Sequence, residues 1–139
     1  MNELYKRIES SFTKQGLMKT LNASLDKVEN GLVQISSTFD ETLSQQHNFF
    51  HAGVMTSIAD SACGYAALTL APYDKDVLTV EFKINFMKPA NTTKIIAIGK
   101  VIQSGKTLTV CEGNVYDASG QKLIAKMTAT IMTIENTGQ

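Results

Sequence analysis

The 139-residue chain is long enough for one domain with its own hydrophobic core, and 43% hydrophobic against 19% charged residues excludes a disordered chain. Lys+Arg and Asp+Glu number 13 each, so the formal net charge is zero, which excludes nucleic-acid or membrane-surface binding driven by bulk charge. The two cysteines, Cys63 and Cys111, lie far apart in apolar stretches and read as buried free thiols; with the two histidines they show no metal-ligand spacing, so neither metal nor cofactor is expected.

The first element is an amphipathic helix over 2–15, with Leu4, Ile8 and Phe12 at four-residue spacing and Gly16 ending it. Its sequence, MNELYKRIESSF, has no apolar run of signal-peptide length, so an unsecreted, cytoplasmic protein is expected. Leu17, Leu21, Ala23 and Leu25 then follow a mostly two-residue rhythm, and Asn30-Gly31 is a hairpin signal before a strand at Leu32–Ser36.

Residues 45–72, QQHNFFHAGVMTSIADSACGYAALTLAP, contain no Lys, Arg or Glu and one carboxylate, Asp60. Segment 51–72 reads as a helix apolar all round, which protein must enclose. Asp60 near its centre, His51, several Ser and Thr, and no cationic flank argue against a membrane span.

Strands follow. In LTVEFKINF, Leu78, Val80, Phe82, Ile84 and Phe86 alternate with polar residues, which predicts one buried face. KIIAIGKVIQ (94–103) is more uniformly apolar, and Ser104-Gly105 turns into 107–117, where Gly113 reads as a bulge. Asp117–Gly120 turns into a last strand at Lys122–Thr133. The expectation is a single α+β domain over 1–139: a short N-terminal helix, then an antiparallel sheet curled around one long central helix and ending in a meander of about four strands.

HAGVMTSIADSACGYAA, followed by LTVEFKINFMKPA and GKTLTV, resembles the hotdog-fold acyl-CoA thioesterases, specifically the PaaI-like (phenylacetate-pathway) branch, over roughly residues 30–134. That family carries His-Gly-Gly at the start of the central helix and an acidic residue eight positions after the first glycine. Here these are His51-Ala52-Gly53 and Asp60. Alanine replaces the first glycine, and it retains the backbone N–H that the family uses there.

Thioester hydrolysis needs a base or nucleophile and donors for the oxygen that becomes negative. Asp60 is the candidate for the first role, because an apolar helix penalises the ionised form and such a carboxylate tends to be functional. The competing reading of Asp60 is a cap or a hydrogen bond to nearby backbone. The donor implied by the resemblance is the Ala52 N–H at the positive helix end. Eight residues of helix rise about 12 Å, whereas a nucleophile must lie about 3 Å from the reacting carbon. Ala52 and Asp60 of one chain therefore cannot serve one thioester. Two antiparallel helices from two chains could, and the resemblance likewise implies a homodimer with shared sites, assembling further into a homotetramer.

The resemblance also places Gln45, with adjacent Gln46 as the alternative, at the thioester carbonyl, and Thr79 where relatives orient the acid or a water. It makes His51 a structural residue that fixes the loop into the helix, beside Gly53. It assigns Ser104, Gly105, Lys106 and Thr107 to the nucleotide side of CoA, with Phe86 and Lys88 nearby and Glu81 along the same strand. Lys106 also reads simply as a charged hairpin residue. Two other functions compete: a non-catalytic acyl-CoA binder on the same fold, and an acyl-thioester dehydratase or hydratase. The first is disfavoured because no effector segment accompanies the domain. For the second, His47 stands 13 residues before Asp60, but HNFFHAG lacks the proline-glycine-rich stretch of such enzymes.

Overall fold

The structure is a computed structural model that describes residues 2–136. Helix α1 spans Glu3–Phe12, opened by Asn2, whose Oδ1 accepts the Tyr5 N–H at 2.7 Å, and Ile8 is its buried residue. It ends at Thr13 and not at Gly16, which instead opens a second short helix, α2 (Gly16–Thr20). The two-residue rhythm from Leu17 is therefore not yet strand. The residues that enter the core there are Met18 and Leu21, three apart, which is helical spacing.

Strands β1 (Ala23–Glu29) and β2 (Leu32–Thr38) form the expected hairpin, with Gly31 at φ 75°. After a 3₁₀ turn at Glu41–Leu43 comes the central helix α3 (Ala52–Leu70). The remaining strands are β3 (Lys75–Phe86), β4 (Lys94–Ser104), β5 (Leu108–Tyr116) and β6 (Leu123–Glu135). All pairs are antiparallel, in the order β1-β2-β4-β5-β6-β3. Only β4, β5 and β6 form a meander; α3 carries the chain across the sheet, so β3 joins the far edge beside β6.

The sheet wraps α3, and the core is the seam between them: Ile58, Ala59, Ala62, Cys63 and Ala66 against Val33, Ile35, Ala97, Cys111, Val115 and Ala129. Gly99 of β4 pairs with Gly113 of β5 under the helix. A Cβ on Gly99 would stand 2.3 Å from the Ala62 carbonyl carbon and oxygen, so helix backbone rests directly on strand backbone. Gly113 is thus no bulge: its missing side chain makes room for Cys63 Sγ, which a Cβ would meet at 2.9 Å. Both thiols are buried and free, with the Cys111 S–H directed at Cys63 O at 3.5 Å; burial raises both pKa values, that of Cys111 to about 12. Among the described residues no helix is long and apolar enough to cross a membrane.

Strand β3 departs from the expected alternation. Thr79 pairs with Ile131 and Glu81 with Thr130, so Val80 is an extra residue, a bulge. Cross-strand partners share a face. Val77 and Thr79, opposite Thr133 and Ile131, face the helix; beyond the bulge Phe82, Ile84 and Phe86, opposite Ala129, Met127 and Ala125, face it too. Leu78 points to the other face. No face of β3 is fully buried within one chain: Leu78 is 57% exposed, Phe82 43% and Phe86 45%.

Helix α3 has no basic residue in its last turn, and Arg7 of α1 supplies one. Arg7 Nη1 donates to Leu68 O (2.9 Å) and Ala71 O (2.8 Å), Nη2 donates to Pro72 O (2.8 Å), and the guanidinium lies over Tyr73 at 4.4 Å. One side chain thereby ties α1 to the end of α3.

Gly99→Ala should cost about 3 kcal/mol in urea unfolding because backbone must move, and Gly113→Ala about 1 kcal/mol because a thiol can rotate away. Arg7→Ala should cost about 2 kcal/mol and speed amide exchange in α1, while the exchange of β4 and β5 follows only the global loss.

Candidate active site

The start of α3 is shaped by His51. Its backbone is extended at φ −64°, ψ 141°, and its Nδ1 accepts the Gly53 N–H at 2.7 Å, so a neutral ring carries its proton on Nε2. A Cβ on Gly53 would stand 3.0 Å from that Nδ1 and push the ring off the cap. The cap occupies the Gly53 N–H and leaves the Ala52 N–H with no acceptor among the described residues. An unoccupied donor at the positive end of a 19-residue helix is a seat for an oxyanion.

Gln45 is anchored beside it. Its Oε1 accepts from His47 N (2.6 Å) and Phe49 N (3.2 Å), while Asn48 N donates to Gln45 O across a tight turn in which Asn48 takes φ 65°. With the amide oxygen engaged twice, Nε2 is a donor of fixed orientation with no acceptor among the described residues. Gln45, His51, Ala52, Phe86 and Lys88 line one cleft, with Met55 and Pro89. Gln46 and His47 are exposed outside it.

Asp60 lies elsewhere. It is half-buried on α3 and lines a second cleft, between α1, α3 and β3, with Thr79. Its Oδ1 accepts from Thr79 Oγ1 at 2.7 Å, so its partner is a side chain and not backbone; Oδ2 has no partner among the described residues. The Val80 bulge lets Thr79 face Asp60 while Phe82 and Phe86 still face the helix side.

The other expected residues scatter. Glu81 points to the face away from α3, where its Oε1 accepts from Thr130 Oγ1 at 3.4 Å. Ser104, Gly105 and Lys106 line a small cavity at the C-terminal end of α3 with Leu70 and Pro72, and Thr107 O accepts the Thr133 N–H at 2.8 Å. Within one chain this turn is therefore at the opposite end of α3 from Phe86 and Lys88. Sequence reasoning missed Ser11, Gln15 and Tyr65, which line the Asp60 cleft. The four-residue spacing in α1 marked only its packing side, and nothing in it shows that Gln15 reaches Tyr65, 50 residues away. Among the described residues no group of His, Cys, Asp and Glu could hold a metal ion.

Comparison with known proteins gives this geometry a family. The family described as the Thioesterase superfamily matches residues 47–124, which include the Ala52 and Asp60 positions. A thioesterase family protein from Silicibacter pomeroyi has a solved structure with TM-score 0.92 and 40% identity, covering 96% of this chain and 99% of that one. The E. coli PaaI protein from the phenylacetic acid degradation operon shares the fold, with TM-score 0.87 at 19% identity over 96% of this chain and 95% of that one. The 1,4-dihydroxy-2-naphthoyl-CoA hydrolase of Listeria monocytogenes is 25% identical over 84% of this chain and 94% of its own length. The family match, the 40% identical structure and the sheet wrapped around α3 lead to one conclusion: this chain belongs to the thioesterase superfamily and has the hotdog fold.

Proposed function

We propose that the chain hydrolyses acyl-CoA thioesters to a free acid and CoA, in active sites shared between the two protomers of a homodimer. The observation that carries this reading is the division of the chemistry within one chain. The acid, Asp60, lies in one cleft, and the unused donors, Ala52 N–H and Gln45 Nε2, lie in another, about 12 Å away along α3. Each chain holds two half-sites, and two antiparallel α3 helices complete both. Setting Asp60 opposite Ala52 places the twofold axis at Thr56. The same register carries one protomer's Lys106 turn past the start of the other's α3, toward Phe86 and Lys88. The exposed helix-side face of β3 at Phe82 and Phe86 is apolar surface that a second α3 would cover. On the opposite sheet face, Leu78 and Leu108 flank Met132 in one cross-strand row, a surface suited to contact between two dimers in a homotetramer.

In the shared site the thioester carbonyl oxygen accepts from Ala52 N–H and Gln45 Nε2, donors placed for the charge that develops there. Thr79 holds Asp60 by Oδ1, and Oδ2 is free either to take a proton from an attacking water or to attack the carbonyl carbon directly. With water as the nucleophile, a carbon–oxygen bond forms, the proton passes to Asp60, and the oxyanion sits between the two donors. The carbon–sulfur bond then breaks, and the departing CoA sulfur takes the proton from Asp60. The CoA part of the reading is also supported by a relative named as a CoA-thioester hydrolase.

Asp60→Asn keeps the shape and the Thr79 contact, and should lower kcat by about 10²-fold or more in thiol release from acyl-CoA. Full turnover by the folded variant would refute the role of Asp60. Shared sites are tested by co-expressing Asp60→Asn with Gln45→Glu, which keeps the acceptor that holds the 45–49 turn and removes the donor. The isolated heterodimer has one intact site and should recover about half of wild-type turnover, far above either parent; no recovery would place each site within one chain. Lys106→Ala should raise KM for acyl-CoA by about tenfold, less so at high salt, and leave hydrolysis of an acyl-N-acetylcysteamine unchanged.

A further inference from the structure

We propose that the cleft under α1 receives the acyl group, and that its far end, built from Ser11, Gln15 and Tyr65, selects an acyl chain ending in a hydroxyl or a similar hydrogen-bonding group. This rests on the hydrolase reading and adds to it the chemical class of substrate.

The cleft begins at Asp60 and runs along α3 past Ser61 and Gly64 to Tyr65, walled by Ser11 of α1, by Gln15 just before α2 and by Val77–Thr79 of β3. Gly64 is its floor. Glycine inside a helix costs about 1 kcal/mol relative to alanine, and no atom within 4 Å would obstruct a Cβ there. Gly99 and Gly113 are required by packing, and Gly64 is not. Its missing side chain leaves open space one helical turn from Asp60, in line with the cleft.

The end of the cleft is polar. Tyr65 is 6% exposed, and its hydroxyl accepts from Gln15 Nε2 at 2.6 Å and shares a hydrogen bond with Ser11 Oγ at 3.1 Å. The two hydroxyls carry two protons and use one between them, so whichever donates, one O–H remains to be given away. Gln15 Oε1 and Asp76 Oδ2 have no donor among the described residues, and Asp76, on the same cleft wall, accepts the Val77 N–H at 2.8 Å through Oδ1. A methyl terminus pressed into this end would strip water from a donor and acceptors without replacing it. A hydroxyl terminus, both donor and acceptor, satisfies them. The reach is fixed by the helix: five residues from Asp60 to Tyr65 rise about 7.5 Å. At roughly 1.2 Å per extended bond, that is the length of a chain of about six carbons. Arg7 makes α1 a fixed wall by holding it to Leu68, Ala71 and Pro72.

The test uses two matched pairs, hexanoyl-CoA with ω-hydroxyhexanoyl-CoA, and their non-hydrolysable thioethers S-hexyl-CoA and S-(ω-hydroxyhexyl)-CoA. The wild-type protein should bind the hydroxylated thioether about tenfold more tightly by calorimetry and show a similar ratio in kcat/KM for the thioesters. Tyr65→Phe, which retains the ring packed near Phe12, should bring both ratios close to one, and Gln15→Leu, at a half-buried position, should lower them. Gly64→Leu should raise KM for hexanoyl-CoA far more than for acetyl-CoA. Equal affinity of the wild type for the two thioethers would overturn the proposal, as would a ratio that both Tyr65→Phe and Gln15→Leu leave unchanged. If neither thioester is cleaved, the hydrolase reading fails, and the thioether affinities still decide where the acyl group sits.

Discussion

The approach of α3 to the sheet governs everything else in this protein. At the Gly99–Gly113 pair there is no side chain between the helix backbone and the strands, so the depth of the helix is set by contact between main chains. Main-chain contact cannot be repacked by choosing another rotamer, and interiors at crystal-like density transmit displacement rather than absorb it. The depth of α3 brings Asp60 within hydrogen-bond reach of Thr79 on β3, and it carries the helix start to the 45–49 turn where Gln45 is anchored. A helix lifted by one methyl group would disturb both clefts at once. The small residues facing the strands, Ala59, Ala62, Cys63 and Ala66, serve the same close approach.

The fold was largely legible because its strongest signals are local. The apolar run of 45–72 with its single carboxylate, the Asn30-Gly31 turn and the Asp117–Gly120 turn each announce an element without outside information. What stayed hidden depends on partners distant in sequence. The Val80 bulge is set by pairing with β6, and the strand it interrupts still alternates on paper. The placement of β3 at the far edge, where a simple meander was expected, is a property of the crossover through α3. Gly113 was visible as an anomaly in a strand, but whether it bulges or admits a helix depends on what lies above it.

The site was legible to a different degree. Asp60 stood out from composition alone, and the distance along a helix was enough to separate it from Ala52. The motif around the helix start, however, carries a division of labour that only the geometry displays. His51 and Gly53 close the cap together, and the residue between them keeps its N–H outside that cap. Glycine and alanine are equivalent for that purpose, which is why the departure at Ala52 leaves the donor in place. Gln45 and Gln46 could not be told apart by spacing; the turn through Asn48 separates them, folding one amide against backbone and leaving the other in solvent. The meeting of Ser11, Gln15 and Tyr65 had no local signature, since a polar residue at a helix end and a tyrosine in a core are each ordinary alone.

The bulge at Val80 has a consequence for how this family's sequences change. Up to Thr79 the odd-numbered positions of β3 face the helix; from Phe82 onward the even-numbered ones do. Two stretches of opposite parity are joined at one residue, so the strand has a seam in its reading frame. Loss of that residue would restore an unbroken alternation with Thr79 and the phenylalanines all still on the helix side, because Thr79 and Glu81 already oppose the consecutive residues Ile131 and Thr130. A single-residue deletion is ordinarily tolerated best in a loop. Here a strand position can bear one as well: Val80 touches neither cleft, and its removal keeps the pairing of every other residue of β3 with β6. A one-residue gap in an alignment of homologous strands should therefore fall at this seam, because a gap elsewhere in β3 would turn the residues beyond it to the other face.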